Sequence, residues 1–409
     1  MKLKDRLCAI KIVDAHIRIF LLGIKLSVPV VNFPVFRLFY KRLAVQPNKI
    51  VFANFKGGGY GCNPKYIAEE ILRRKLPYKI VWLIKNSNRK KTTFPPEIEL
   101  CSWNNMRALK ELATAKIWVD NQRKNFHIRN GLQKKPGQVY INTWHGSLGI
   151  KKIGVESNVT DTSWTQFGMV DADMLDYILS NSTFEDDVFR RNFWNKGKIL
   201  QLGHARNDVF FKDPLPYKQK VCEKYGIDQA TRIMLYVPSY RDDKRIDCYD
   251  VDYAALKKTL EQKFSGNWMI MVRLHPNAAK FQNILPQQDY IINATDYPDI
   301  QELLVASDAA LTDYSSCIFD FMLSRKPAFI FATDIKEYDT ERGFYYPLTS
   351  TPFPVAENNE QLCNNIMNFE LAPYQNKVEE FLTGKGCMED GHAAERAVDL
   401  IEQIMRGEM

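Results

Sequence analysis

Two histidines, two arginines and one hydroxyl-rich loop carry most of the chemistry this sequence offers. His145 stands in Asn142-Thr143-Trp144-His145-Gly146-Ser147, directly after an apolar run that reads as a strand. A histidine at a strand end, followed by glycine, is open to a substrate, and its near-neutral pKa suits general-base work on a hydroxyl. The competing use is a histidine that fixes a turn. His275 lies in Met271-Val272-Arg273-Leu274-His275-Pro276-Asn277, where Pro276 stops a strand and Arg273 is two residues back on the same side. There it can donate to a phosphate oxygen and stabilise charge that develops during transfer, or simply cap the strand.

Gly203-His204-Ala205-Arg206-Asn207-Asp208 and Tyr236-Val237-Pro238-Ser239-Tyr240-Arg241 put Arg206 and Arg241 at strand ends. A guanidinium there can grip a phosphate through two parallel bonds; salt bridges to Asp208 or Asp242 are the alternative. Thr312-Asp313-Tyr314-Ser315-Ser316 follows the apolar Ala309-Ala310-Leu311, and Ser315 is placed to cap a helix that buries Ile318, Phe321 and Met322. Unpaired N–H groups, the positive end of the helix dipole and two serine hydroxyls make an anion site. Taken alone, the same junction is an ordinary helix cap.

These residues need a framework, and the pattern after Pro47 supplies one. Apolar runs at 49–55, 78–84, 116–120, 138–143, 175–180 and 199–202 predict strands, alternating with helices over 64–74, 106–114 and 182–193. After a proline-bearing linker at 211–217 the rhythm restarts. Strands are expected at 232–237, 268–274, 290–293, 309–312 and 328–332, and helices at 253–264, 300–307 and 315–324. Strand–helix alternation of this kind implies parallel sheets covered by helices. Two Rossmann-like halves facing a cleft follow, with ligands beyond the carboxyl ends of the strands. All the motifs above sit at such ends.

At 409 residues, 45% apolar and 25% charged, the chain is globular and long enough for two domains. The eight cysteines are scattered without a Cys-x-x-Cys pair, which argues for reduced thiols rather than zinc ribbons or a disulfide framework. There is no Gly-x-x-x-x-Gly-Lys-Ser/Thr, no Gly-x-Gly-x-x-Gly and no His-Glu-x-x-His, so P-loop, dinucleotide and zincin chemistry lack support. No cofactor is expected; Mg²⁺ is compatible with the chemistry but not indicated by the residues.

The net charge of +8 is local. Residues 1–49 hold ten basic and two acidic residues, and residues 50–409 are neutral with 46 of each sign. The body therefore has no general basic field for nucleic acid. Read as a helix, the N-terminal stretch gathers Ile10, Val13, Ile17, Phe20, Leu21 and Ile24 on one face, with Lys4, Lys11, Arg18 and Lys25 as a separate ridge at seven-residue spacing. The expectation is a helix lying on an anionic membrane surface. Packing of the same helix on protein is the alternative. No apolar run is long enough to span a bilayer, and Lys25, Pro29 and Pro34 interrupt any signal peptide.

In this order the motifs resemble the CDP-glycerol glycerophosphotransferase family, bacterial enzymes of teichoic acid and related phosphodiester polymers. The resemblance runs from about Val51 to Arg396. Its pieces are Phe55 through Pro64, Asp120-Asn121, Trp144-His145-Gly146, Lys151-Lys152-Ile153-Gly154, Ser180-Asn181, Gly203 to Asp208, and Pro238 to Arg241. Leu274-His275-Pro276, Thr312 to Asp320, Lys326-Pro327, Arg342 to Tyr345, and Asp390-Gly391 to Arg396 complete the set.

The resemblance implies an α/β, GT-B-like fold of two Rossmann-like domains and a membrane-associated N-terminus. It implies domains at 1–48 (membrane segment), 49–211 (acceptor side) and 212–409 (donor side, with a terminal helix). It implies transfer of glycerol phosphate or a related alditol phosphate from CDP-glycerol or CDP-ribitol to a hydroxyl of a lipid-linked or polymer acceptor, releasing CMP, at the cytoplasmic face of the membrane. By position, His145 is the base and His275 a phosphate ligand. Thr312, Asp313, Ser315, Ser316, Arg206, Arg241 and Arg342 hold the donor, and Trp144, Gly146, Ser147, Lys151 and Lys152 face the acceptor.

The loop after His145 departs from the family pattern: it lacks the usual proline and is one residue longer. The acceptor is therefore not carried over. A nucleotide-sugar glycosyltransferase of the same architecture and a non-catalytic membrane-surface binding protein are the rival expectations.

Overall fold

The computed structural model describes residues 8–13, 16–21, 24–29, 40–157, 162–192, 197–241, 250–275, 278 and 285–408. Its first three strands, β1 (Cys8–Val13), β2 (His16–Leu21) and β3 (Ile24–Pro29), form an antiparallel meander. The amphipathic helix expected here is thus corrected to strands. Ile10, Ile12, Val13, Ile17, Ile19, Ile24 and Val28 are β-branched, which costs rotamer freedom in a helix and suits a pleated strand. In the register Lys11 pairs with Arg18, Arg18 with Ser27 and Lys25 with Phe20. Lys4 lies outside the described residues. Among the described residues no helix is long and apolar enough to cross a membrane.

The next seven strands make one parallel sheet: β4 (Gln46–Ala53), β5 (Lys79–Ile84), β6 (Glu99–Ser102), β7 (Ala115–Asp120), β8 (Val139–Asn142), β9 (Tyr177–Ser180) and β10 (Lys198–Gln201), ordered β10-β9-β8-β7-β4-β5-β6. Successive residues of β4 enter opposite cores. Ile50 and Phe52 pack with Trp82, Ile117 and Val119. Val51 and Ala53 pack with Val81, Leu83 and Trp118. A strand buried on both faces needs the unbroken apolar run seen in the sequence.

Six further parallel strands form the second sheet: β11 (Arg232–Val237), β12 (Trp268–Val272), β13 (Ile291–Asn293), β14 (Ala309–Thr312), β15 (Ala328–Phe331) and β16 (Val355–Ala356), ordered β13-β12-β11-β14-β15-β16. In both sheets the strand order reverses beside the first strand of the unit, between β4 and β7 and between β11 and β14. Such switch points are where doubly wound sheets open a ligand crevice at the carboxyl ends of their strands.

Two features of the organisation differ from expectation. The linker at 211–217 is shortened, because helix Leu215–Tyr225 begins inside it with a proline in its first turn, where a missing N–H costs nothing. The terminal helix Ala393–Arg406 packs on the first unit, not the second. Ala397, Val398, Ile401 and Ile404 share a core with Ile67 and Ile71 of helix Cys62–Arg73. Asp208 caps that terminal helix, accepting the Ala393 and Ala394 amides at 2.9 and 2.8 Å.

Candidate active site

His145 follows β8 and Trp144, whose φ of +51° turns the chain sharply. Its Nδ1 lies 2.6 Å from the carbonyl oxygen of Asn121. A carbonyl only accepts, so Nδ1 carries the proton and Nε2 keeps its lone pair for other work. Asn121 is fully buried; it donates to Asn54 Oδ1 at 2.7 Å and accepts the Phe55 amide at 2.9 Å. The rings of Trp144 and Phe55 flank the imidazole, with centroids 4.3 and 5.2 Å away.

Burial pushes the His145 pKa down to about 4; the Asn121 carbonyl opposes this, and the positive fields of Arg206, Lys56 and His204 add to it. The imidazole is neutral at pH 7, the state a general base requires. Gly146 is needed beside it, because a Cβ there would lie 2.7 Å from Trp144 Nε1. Asn63 ties the site together, donating to the carbonyls of Thr143 and Trp144 at 2.8 and 3.1 Å and accepting the Arg206 amide at 3.1 Å.

At the second switch point the Asp313 carboxylate accepts the Ser239 amide at 2.8 Å and Arg241 Nη1 at 2.9 Å. Arg241 makes a two-bond pair with Asp334 at 2.7 and 2.9 Å and lies against Tyr314 and Tyr338. Thr312 spends its hydroxyl on the Val237 carbonyl. Arg206 is held by Asp320 at 2.9 and 3.1 Å and by the Gly146 carbonyl at 2.6 Å.

Thr312, Asp313, Arg206 and Arg241, expected as donor ligands, are all buried, and their polar groups tie neighbouring loops together. A buried guanidinium must have its charge balanced on the spot. The partners are Asp313, Asp334 and Asp320, not the sequence neighbours named beforehand; Asp242 lies outside the described residues.

What faces outward in the donor loop is Ser315 and Ser316, both partly exposed. The helix after them runs only from Cys317 to Phe321 before tightening into a 3₁₀ turn. A dipole built over five residues is weak, so local N–H groups and hydroxyls remain as the anion donors. Arg342 is half-buried at the end of helix Ile335–Arg342. His275 is exposed just past β12 and stacks on Tyr240 at 5.8 Å.

The loop after His145 joins the two units. A Cβ on Gly149 would lie 3.2 Å from Ser316 Cβ. Lys151 forms an antiparallel bridge with Phe344, while the Lys152 amide donates to Gly343 at 2.9 Å and the Tyr345 amide to Ile150 at 2.7 Å. Lys151, expected on the acceptor side, is thereby held beside residues 343–345. Burial lowers its pKa first of all, and the charges acting on it are those of Asp313, Arg342 and Arg241. Ser147, also expected on the acceptor side, is buried and accepts from Asn181 Nδ2 at 3.0 Å. The Lys152 methylenes pack over Gly343.

The other described histidine beside this region, His204, is buried against Glu185 at 3.0 Å. Among the described residues no three His, Cys, Asp or Glu side chains gather as a metal site.

The family profile described as CDP-glycerol:poly(glycerophosphate) glycerophosphotransferase matches residues 35–403. The chain belongs to this family. A teichoic acid glycerol-phosphate transferase of Staphylococcus aureus is 29% identical over 379 residues, covering 88% of this chain and 95% of that protein. A teichoic acid poly(glycerol phosphate) polymerase of Staphylococcus epidermidis is 28% identical over 88% of this chain, which spans about half (51%) of that longer protein.

Among solved structures, the wall teichoic acid polymerase TagF superposes with a TM-score of 0.79 at 26% identity, over 91% of this chain and 94% of the other. A histidine-to-asparagine variant of that polymerase, soaked with CDPG, gives the same TM-score.

Asn121, Asn142 and Asn181 stand within the motifs above, but sequence reasoning missed their task of holding the site, which they share with Asn54. Asn54, Asn121 and Asn181 each stand one residue beyond a strand of the first sheet, and Asn142 ends another. An asparagine in that place satisfies loop backbone, and its recurrence was legible. Asp320 and Asp334 carried no comparable signal, since their partners are 114 and 93 residues away.

Proposed function

We propose that this chain transfers glycerol phosphate, or a related alditol phosphate, from a CDP-linked donor to a hydroxyl of a lipid-linked or polymeric acceptor, releasing CMP. The product is a teichoic-acid-like or capsular phosphodiester polymer made at the cytoplasmic face of the membrane. The observation that carries this reading is His145, with Nδ1 committed to the Asn121 carbonyl and Nε2 unclaimed, on a loop that runs on to Ser316. Family membership and the relatives named for glycerol-phosphate transfer support the donor class.

In this mechanism His145 Nε2 takes the proton of the acceptor hydroxyl as its oxygen attacks the β-phosphorus of the donor. The bond from that phosphorus to the bridging oxygen breaks, and CMP leaves with the electron pair. Ser315, Ser316, His275, Lys151 and Arg342 neutralise the charge on the diphosphate. Positioning and fixed charge supply most of the acceleration in such transfers.

The test is CMP release from CDP-glycerol and CDP-ribitol with a lipid-linked acceptor. His145→Ala is expected to abolish turnover, and near-wild-type turnover would remove His145 from the mechanism. His275→Ala is expected to cost at least about 10²-fold in kcat if it stabilises the transition state.

A further inference from the structure

Phe55 and Lys56 stand at the switch point of the first sheet, one and two residues beyond Asn54 at the end of β4. Both hold left-handed backbone, with φ of +42° and +55°, and Gly57 continues at +80°. Such conformations in non-glycine residues persist only where the surroundings over-determine them, and they concentrate at functional sites. The surroundings here do so. The Phe55 amide is held by Asn121 Oδ1 at 2.9 Å, and the Gly57 carbonyl accepts from the Lys85 amide at 3.1 Å and Asn88 Nδ2 at 2.9 Å. The Gly58 amide donates to Asn54 at 2.8 Å.

This framework presents two side chains outward. Phe55 is 42% exposed, although its ring edge meets His145 at 5.2 Å. Lys56 is exposed, makes no ion pair or hydrogen bond among the described residues, and is close enough for its charge to act on His145. An exposed aromatic and an unengaged cation thus stand beside the base.

We propose that Phe55 and Lys56 form the acceptor subsite: Lys56 pairs with the phosphodiester anion next to the attacking hydroxyl, and Phe55 is the wall against which that terminal alditol carbon chain packs. The proposal rests on the transfer reaction set out above and assigns its acceptor as a polyanionic phosphodiester chain end. Phe55 and Lys56 bind and align the nucleophile; His145 takes its proton.

The experiment is steady-state kinetics of the full chain with CDP-glycerol and a synthetic lipid-linked oligo(glycerol phosphate), each substrate varied in turn. Lys56→Ala is expected to raise the acceptor KM at least about tenfold, the scale of one charge-assisted contact, and to flatten its dependence on salt. KM for CDP-glycerol should stay within about twofold, and Lys56→Arg should recover most of the acceptor affinity. Phe55→Ala should raise the acceptor KM and Phe55→Leu restore it, which separates an apolar wall from relaxation of the strained backbone.

An unchanged acceptor KM in Lys56→Ala, or a rise confined to the donor KM, overturns the subsite while the transfer reaction stands. If the wild-type chain transfers nothing to any phosphodiester acceptor, the reaction itself fails and takes the subsite with it.

Discussion

His145 donates through Nδ1 to the carbonyl oxygen of Asn121 across 2.6 Å. That one bond fixes the tautomer and leaves the Nε2 lone pair uncommitted. Asn121 is in turn locked to Asn54 and Phe55, so the base inherits the rigidity of the strand ends of β4 and β7.

The pH profile should report the depressed basicity of His145. Its folded pKa of about 4 lies below the ordinary histidine value of 6.5, so the acid limb of kcat/KM is expected well below pH 6. In the donor complex the diphosphate charge opposes Arg206 and Lys56, and the limb in kcat should lie at higher pH. A kcat/KM limb near 6.5 would assign the proton transfer to another group.

Stability should respond to the same shift. Burial also pushes His127 down to about 3. With both folded values below the unfolded one, the unfolded chain binds more protons between about pH 6.5 and 3, so stability is full above pH 6.5 and falls as pH drops through that window. Denaturation midpoints measured from pH 8 to pH 4 check the sign.

Gly146→Ala places a methyl where Trp144 Nε1 now lies, 2.7 Å from the new carbon. The indole must move, and the adjoining imidazole with it. Activity is expected to fall on the order of 10²-fold, the cost of about 1 Å of misplacement, with little change in the thermal midpoint.

Arg241→Ala leaves Asp313 and Asp334 buried without their shared cation. A loss of about 3–5 kcal/mol of unfolding free energy is expected. A variant that keeps full stability but loses donor affinity would return Arg241 to the ligand set.

Lys151→Ala should do the reverse. Its ammonium is desolvated and has no ion pair among the described residues, so removal should leave stability unchanged or raised. KM for CDP-glycerol should rise about 10- to 100-fold, as for one charge-assisted bond of about 1.5–3 kcal/mol.

For the membrane proposal, the truncation to make is removal of residues 1–39, since Tyr40 is buried in the first unit's core and Lys135 Nζ bonds the Leu43 carbonyl at 2.6 Å. The shortened chain is expected to move from membrane to soluble fractions. Unchanged partitioning would place the membrane contact elsewhere.

By itself, the sequence determined the parallel α/β rhythm and the placement of His145, His275 and the Ser315-Ser316 turn at strand ends, because buried strands and their stops are local patterns. It misjudged residues 8–29 because the spacing of apolar and basic side chains admitted a helix, while β-branching and pairing between neighbouring segments favoured strands. Only the tertiary structure decided which charges are spent. Arg206 and Arg241 find carboxylates 114 and 93 residues away, and the loop that carries Lys151 pairs with residues 343–345. Burial settles the matter: a charge out of water must meet its partner wherever the fold supplies one, and sequence distance carries no record of that meeting.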